Sequence, residues 1–314
     1  MSTFQALHKK SQHNMFRKPS AFAWLSIATA ILTVFLKSLA YYLTGSVGLL
    51  SDAIESLVNL LAAIIALVAL SIAARPPDSQ HAYGHGKAEY FSSIAEGLFI
   101  FIASGSIAYT AISRILHPMP LELSFIGIGV SVLASALNLI VALSLFKAGK
   151  KFRSITLTSD AHHLMTDVWT SVAVVGGIGI VMLTGIAILD PIIALIVSIN
   201  IVYSAVSIIK ESALGFMDTA ISESDIQEVT SVLNTFCKKG VSYHGLRTRQ
   251  AGARRFVTFH VLVPGHWTVK KGHDLLERME QKIRGHFDKM TITTHLEPSE
   301  DPVSSKDISI DREN

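Results

Sequence analysis

Six long apolar stretches, roughly residues 21–43, 46–74, 90–116, 122–146, 155–186 and 188–210, restrict what this chain can fold into. Each exceeds the ~20 residues a helix needs to cross a hydrocarbon core of ~30 Å. With no water there to bond the backbone, an isolated span has to be a helix. Composition agrees: half of the 314 residues are hydrophobic, 16% are charged, and mean hydropathy is +0.44. That is too apolar for a water-soluble domain of this length, so the chain reads as an integral membrane protein. A formal charge of +3 offers nothing to draw a nucleic acid. The single cysteine, Cys237, excludes an internal disulfide framework and a multi-cysteine metal cluster.

Basic residues set the expected orientation. Lys9, Lys10, Arg17 and Lys18 precede the first span, Arg75 and Lys87 lie between the second and third, and Lys147, Lys150, Lys151 and Arg153 lie between the fourth and fifth. The opposite connections carry almost none, which puts both termini in the cytoplasm. No small-residue cleavage pattern follows the first polar segment, so the first span is expected to be retained. Beyond residue 211 the composition turns mixed. A helix over 222–238 capped by Ser222 or Ser224, strands over 242–250 and 254–263, a helix over 268–286 and a strand over 290–296 describe a small α+β domain. The expected organisation is a cytoplasmic N-terminal tail (1–20), a six-helix transmembrane domain (21–210), a cytoplasmic domain (211–299) and a disordered tail (300–314).

Polar residues inside two spans ask for a reason. SDAIESLVN at 51–59 and SDAHHLMTD at 159–167 align without a gap, pairing Asp52 with Asp160, Glu55 with His163 and Asn59 with Asp167. Positions i and i+4 share a helix face, so each span carries a polar stripe, and the two stripes are expected to face each other. Counted from opposite membrane surfaces at ~1.5 Å per residue, Glu55 and His163 both fall ~13 Å deep. Ionisable groups at that depth mark a pathway or a site, because leaving them unpaired costs several kcal/mol. Carboxylates of Glu55 and Asp167, the His163 imidazole and the Asn59 amide oxygen can make a tetrahedral site whose charge matches a divalent cation, and the imidazole favours a transition metal. Asp52 and Asp160 read equally as packing contacts or as part of an ion path. His162, turned about 100° away, reads as a packing histidine.

Two further histidine groups stand outside the spans. In RPPDSQHAYGHGKAEYF, Asp78, His81 and His85 would share a face if helical, although Pro76, Pro77, Gly84 and Gly86 favour a turn. Downstream, His244, His260, His273 and His295 fall on different expected elements, and alternation puts His295 and Glu297 on one strand face. These five read as a second metal-binding group.

The polar quartets, the PPDSQHAYGHGKAE loop and the tail segments HGLRTRQAG, FVTFHV and THLEP, in that order, resemble the cation diffusion facilitators, and within them the bacterial zinc and iron efflux branch, over about residues 15–298. The resemblance implies a ferredoxin-like, metallochaperone-like cytoplasmic domain and a homodimer in the bacterial inner membrane that exports a metal ion in exchange for protons by alternating access. It implies a transport site at Glu55, Asn59, His163 and Asp167 and a loop site at Asp78, His81 and His85. It also implies a cytoplasmic site at His244, His260, His273, His295 and Glu297 holding two zinc ions, and an interlock between Lys87 and Asp218. The sequence departs from that pattern at the second span, where the relatives carry Asp or His and then Asp, and at Glu297, where the branch has Asp. The site therefore has one negative charge fewer than an Asp-Asp, His-Asp quartet.

Zinc leads among the ions; iron(II), manganese, cobalt, nickel and cadmium stay open. An imidazole binds either a proton or a metal, so metal binding at His163 releases a proton, which is the root of antiport. A metalloenzyme reading lacks a motif such as HExxH and a nucleophile beside the site. A membrane-anchored sensor or scaffold that binds metal through the tail is the alternative, and it would have no use for Glu55 or Asp167 at the midplane.

Overall fold

A computed structural model describes residues 3–44, 47–117, 125–186, 188–287 and 289–306. The chain divides into two compact units, Met1–Ala213 and Leu214–Asn314. The first holds six helices: α1 (Thr3–Thr44), α2 (Val47–Ala73), α3 (Ala88–Leu116), α4 (Phe125–Phe152), α5 (Ile155–Thr184) and α6 (Leu189–Phe216, whose last turn crosses the division). Runs in α1, α2, α3, α4 and α6 are long and apolar enough to cross a membrane. The sixth expected span is α5, 30 residues long, with Asp160, His162, His163 and Asp167 in its first half.

The bundle is built inside out relative to a soluble one. Large apolar side chains such as Trp24, Phe35, Leu61, Ile140 and Tyr203 are exposed, while α2 turns Ala62, Ala63 and Ala66 inward with almost no exposure. Small residues let helix backbones approach in hydrocarbon, where burying a leucine against another helix gains little over leaving it in lipid. Leu145, Leu157, Ala161 and Leu164 form the α4–α5 core, with Ala23 of α1 and Leu70 of α2.

Helices α1, α4 and α6 run further than expected, α6 by reaching Phe216. α1 begins at Thr3, so the basic segment that reads as a separate tail continues the first span as helix, with Pro19 inside it. Nothing between Thr3 and Arg17 is a helix breaker. α4 runs to Phe152 and takes Lys150 and Lys151 into its last turn, where cations meet the negative end of the helix dipole. Arg153, in the left-handed backbone region, then turns the chain into α5. Ser154 caps α5, accepting a bond from the Leu157 N–H, and donates its hydroxyl to Glu89 of α3. At the other end of α3, Arg114 pairs with Asp190 on α6 at 3.3 Å.

The second unit contains α7 (Glu223–Asn234), β1 (Ser242–Ala251), β2 (Arg254–Val263), α8 (Val269–Arg284) and β3 (Met290–Pro298). The sheet order is β1-β2-β3, with β1 and β2 antiparallel and β2 and β3 parallel. Ser222 and Thr268 cap the two helices. Alternation along β2 sends Val257, Phe259, Val261 and Val263 into a core with Val229 and Leu233 of α7 and Leu275, Met279 and Ile283 of α8. His260 therefore points to the opposite face. Pro302–Ser305 forms a 3-10 turn capped by Asp301, with the Ser304 hydroxyl on the Pro298 carbonyl, which corrects the expectation of a disordered tail from 300 on. Residues 307–314 lie outside the described residues.

At Gly149 α4 lies tight against α5: a Cβ there would sit 2.5 Å from Thr158 Oγ1 and 3.1 Å from the Thr158 backbone nitrogen. Gly149→Ala is expected to lower the thermal midpoint of the purified protein, at a cost of about 1–3 kcal/mol. Gly129→Ala on the same helix, where a Cβ meets nothing within 4 Å, should leave it unchanged or higher. Equal midpoints would show that this approach does not hold the two helices.

Candidate metal centres

Inside the helical unit, three members of the expected quartet are joined. The His163 Nε2 lies 2.7 Å from Asn59 Oδ1, so its N–H donates to that oxygen and the free lone pair is on Nδ1, which is buried without a hydrogen-bond partner. The Asn59 amide in turn donates to Asp167 Oδ2. Faces of α2 and α5 thus meet through side chains that are all at least nine-tenths buried. Glu55 stands one turn before Asn59 on α2 and is half-buried. The side chain of Asp52 lies outside the described residues. His162 packs its ring edge-on against Phe146 at 4.9 Å, away from the others.

A third helix contributes a group that the sequence reading missed. Asn138 of α4 is buried and donates its amide to the same Asp167 Oδ2 at 3.0 Å, and its own Oδ1 has no hydrogen-bond partner. The signal was present, since Asn138 is a lone amide in the apolar run of α4, where an unpaired polar group is as costly as it is on α2. Four groups in a chain, His163, Asn59, Asp167 and Asn138, leave an imidazole lone pair and an amide oxygen unused.

The connection between α2 and α3 is a turn and not a helix, which corrects the shared helical face considered for it; paired prolines at its start and Gly84, with positive φ, break any helix. Asp78 gathers the site instead. Its Oδ1 accepts the backbone N–H groups of Gln80 (3.0 Å) and His81 (2.7 Å) and contacts His81 Nδ1 at 3.1 Å, while Oδ2 lies 3.2 Å from His85 Nε2. One ligand atom from each of the three falls within 4.8 Å of the others. The His81 N–H, with the His81 ring and the Gln80 N–H, holds the Asp78 carboxyl below the usual carboxylate range.

In the second unit, sheet register makes a row. His244 of β1 is opposite His260 of β2, and His260 is opposite His295 of β3, on the face away from the helices. Glu297, two residues along β3 and 5% exposed, reaches back to them. His244 Nε2 is 2.8 Å from Glu297 Oε2, His260 Nδ1 is 2.9 Å from Oε1 but out of hydrogen-bond alignment, and His295 Nε2 is 3.6 Å from Oε1. The closest ligand atoms are those of His244, His260 and Glu297, within 4.8 Å of one another. Imidazoles and a carboxylate in this number suit zinc. His273 is exposed on α8 and is not in that group. Asp218 pairs with Arg249 at 3.3 Å, whereas Lys87 belongs to the first unit, at the start of α3.

In a protein carrying Asp78→Ala and Asp167→Ala, which removes ligands of the other two groups, Glu297→Gln is expected to weaken zinc binding at least tenfold, read by equilibrium dialysis. His273→Ala in the same background should leave it unchanged; an equal loss would bring His273 into the group.

Comparison with known proteins follows the same division. Residues 23–217 match the cation efflux transmembrane domain, and residues 221–299 match the cytoplasmic domain of cation efflux proteins. The uncharacterized transporter sll1263 of Synechocystis is 50% identical over 90% of this chain and 91% of its own. The cation-efflux pump FieF of Salmonella paratyphi A is 30% identical over 89% of this chain and 92% of its own. A solved metal-bound C-terminal domain of the CzcD transporter from Thermotoga maritima is 22% identical, covered over 99% of its length by 26% of this chain, with a TM-score of 0.24. With both domains matched in order across most of its length, the chain belongs to the cation diffusion facilitators, a family of integral membrane metal-efflux transporters and not of enzymes.

Proposed function

We propose that this chain is a proton-coupled antiporter that exports a divalent transition-metal cation, zinc before the others, from the cytoplasm by alternating access. The observation that carries this reading is the joined set of Asn59, His163 and Asp167 between α2 and α5. A dication needs its water replaced by several ligands, and with Glu55 these helices offer two carboxylates, an imidazole and an amide oxygen. Zinc takes such a mixed nitrogen and oxygen set in a tetrahedron, which magnesium and calcium do not prefer. Neutral Asn59 also lowers the charge of the site, so iron(II), manganese, cobalt, nickel and cadmium belong in the comparison.

Protons enter through the ligands themselves. The His163 imidazole has to be unprotonated to bind, so a metal arriving displaces a proton and a proton arriving displaces the metal. Exposing one site alternately to two sides then exchanges the ions. The chain works as a homodimer in a bacterial inner membrane with both termini cytoplasmic. The cytoplasmic domain binds zinc through His244, His260, His295 and Glu297, and the loop binds a metal through Asp78, His81 and His85.

The test is metal uptake into proteoliposomes under an imposed pH gradient, comparing zinc with the other five ions. Asp167→Ala is expected to abolish uptake; near-normal uptake would sink the site assignment. Loss of uptake for every ion while the cytoplasmic domain still binds zinc would favour a membrane-anchored sensor. Asn138→Leu should slow uptake about tenfold, because Asp167 loses a donor that orients it, and should leave zinc binding in the cytoplasmic domain unchanged.

A further inference from the structure

Buried carboxyl groups in this bundle are met in two ways. Glu96 of α3 and Asp160 of α5 each accept a serine hydroxyl, from Ser92 at 3.2 Å and from Ser26 at 3.1 Å. Asp167 is met by amides: Asn59 of α2 and Asn138 of α4 both donate to it, and both to the same oxygen, Oδ2. Asn138 is 4% exposed, and its own Oδ1 is buried without a hydrogen-bond partner. A serine hydroxyl could have donated there without orphaning a carbonyl, and an orphaned buried carbonyl is costly. The reason to keep an amide at this position therefore lies in what it does to Asp167.

A carboxylate oxygen has two lone-pair directions, and two N–H donors use both. A dication that reaches Asp167 is then bound through Oδ1 alone. A carboxylate with neither oxygen tied up in this way can instead chelate, adding one more bond to the metal's shell. That extra bond separates ions by the number of ligands they want. Zinc takes four in a tetrahedron, to which each side chain brings one. Manganese prefers an octahedral, oxygen-rich shell, and bidentate carboxylates are a common way for large oxygen-seeking ions to fill one. Asn59 can tie up Oδ2 and still ligate, because its Nδ2 faces Asp167 while its Oδ1 faces His163. Asn138 stands on α4, which supplies none of the four expected ligands, so its hold on Asp167 is separate from ligation.

We propose that Asn138 is a specificity-determining residue of the transport site: with Asn59 it confines Asp167 to ligation through one oxygen and so favours four-coordinate zinc over octahedral manganese. Asn138 does not bind the ion and acts through the carboxylate it positions. The inference rests on the reading of Asn59, His163 and Asp167 as the transport site, and deepens it by naming what discriminates among dications there. Proton coupling plays no part in it.

The test reads a ratio. Uptake of zinc and of manganese, each offered alone and driven only by its own gradient, is compared in proteoliposomes of the full-length protein. Asn138→Leu keeps the size of the side chain and removes the donor, and is expected to lower the zinc-to-manganese ratio about tenfold. Asn138→Gln keeps an amide donor and should retain most of the parent's preference. A merely structural role for Asn138 would slow both ions together, so an unchanged ratio in Asn138→Leu would overturn the proposal, as would a ratio lowered equally by Asn138→Gln. Where a variant moves too little of either ion, the ratio is taken from dissociation constants by equilibrium dialysis, with the same expectation. That protein also carries Asp78→Ala, His260→Ala and Glu297→Gln, which disable the other two metal groups. Parent-like uptake by Asp167→Ala would remove the transport-site reading and this inference with it. Loss of uptake in Asp167→Ala beside a parent-like ratio in Asn138→Leu would remove this inference alone.

Discussion

Everything polar in the helical unit answers to one constraint: a group removed from water and lipid-facing surface has to find its partner in the protein. The bond from His163 to Asn59, from Asn59 to Asp167 and from Asn138 to Asp167 is the central case. It joins three helices through four side chains that no hydrocarbon could solvate. Close approach of α4 and α5 at Gly149, and the alanine face of α2, are what allow those side chains to reach one another. Packing by small residues and polar pairing are therefore one arrangement, because each needs the short helix separations the other supports.

The hydrogen bonds of this set leave some acceptors unused. Asp167 accepts from two amide donors, and the His163 Nδ1 lone pair and the Asn138 Oδ1 are left without partners. Buried acceptors with nothing to accept are costly, and a cation would satisfy them. Glu96 and Asp160 each accept from a serine and keep a second oxygen without a partner. In a transport protein an unfilled acceptor in the bundle costs stability and serves as the means by which an ion is preferred.

The second unit gathers its histidines and Glu297 by different physics. Hydrophobic alternation sends Val257, Phe259 and Val261 to one side of β2, which obliges His260 to the other. Register then aligns His244 and His295 with it, and a buried Glu297 closes the group. His273 is carried by α8 and lies outside the 4.8 Å group of His244, His260 and Glu297.

How much of this was legible follows from the range of each interaction. The helices were readable because hydropathy over 20 or more residues is a local property, as was the period of two that separates Phe259 from His260 along β2. The polar stretches at 51–59 and 159–167 likewise announced themselves as out of place in hydrocarbon. Their reading went astray where an outcome depended on distant partners. Helical propensity carried α1 through its basic segment and α4 through Lys150 and Lys151, since charge alone does not end a helix. Sequence spacing grouped Asp78, His81 and His85, but the tertiary turn brings them together through backbone N–H groups bonded to one carboxylate. Asn138 looks in the sequence like a single polar residue in an apolar helix, and only packing shows that it meets Asp167. Sequence by itself determined which segments cross the membrane and which residue types can hold a dication. Tertiary structure alone decided which of those residues meet, because partners on different helices and strands are chosen by packing and register, which no local pattern encodes.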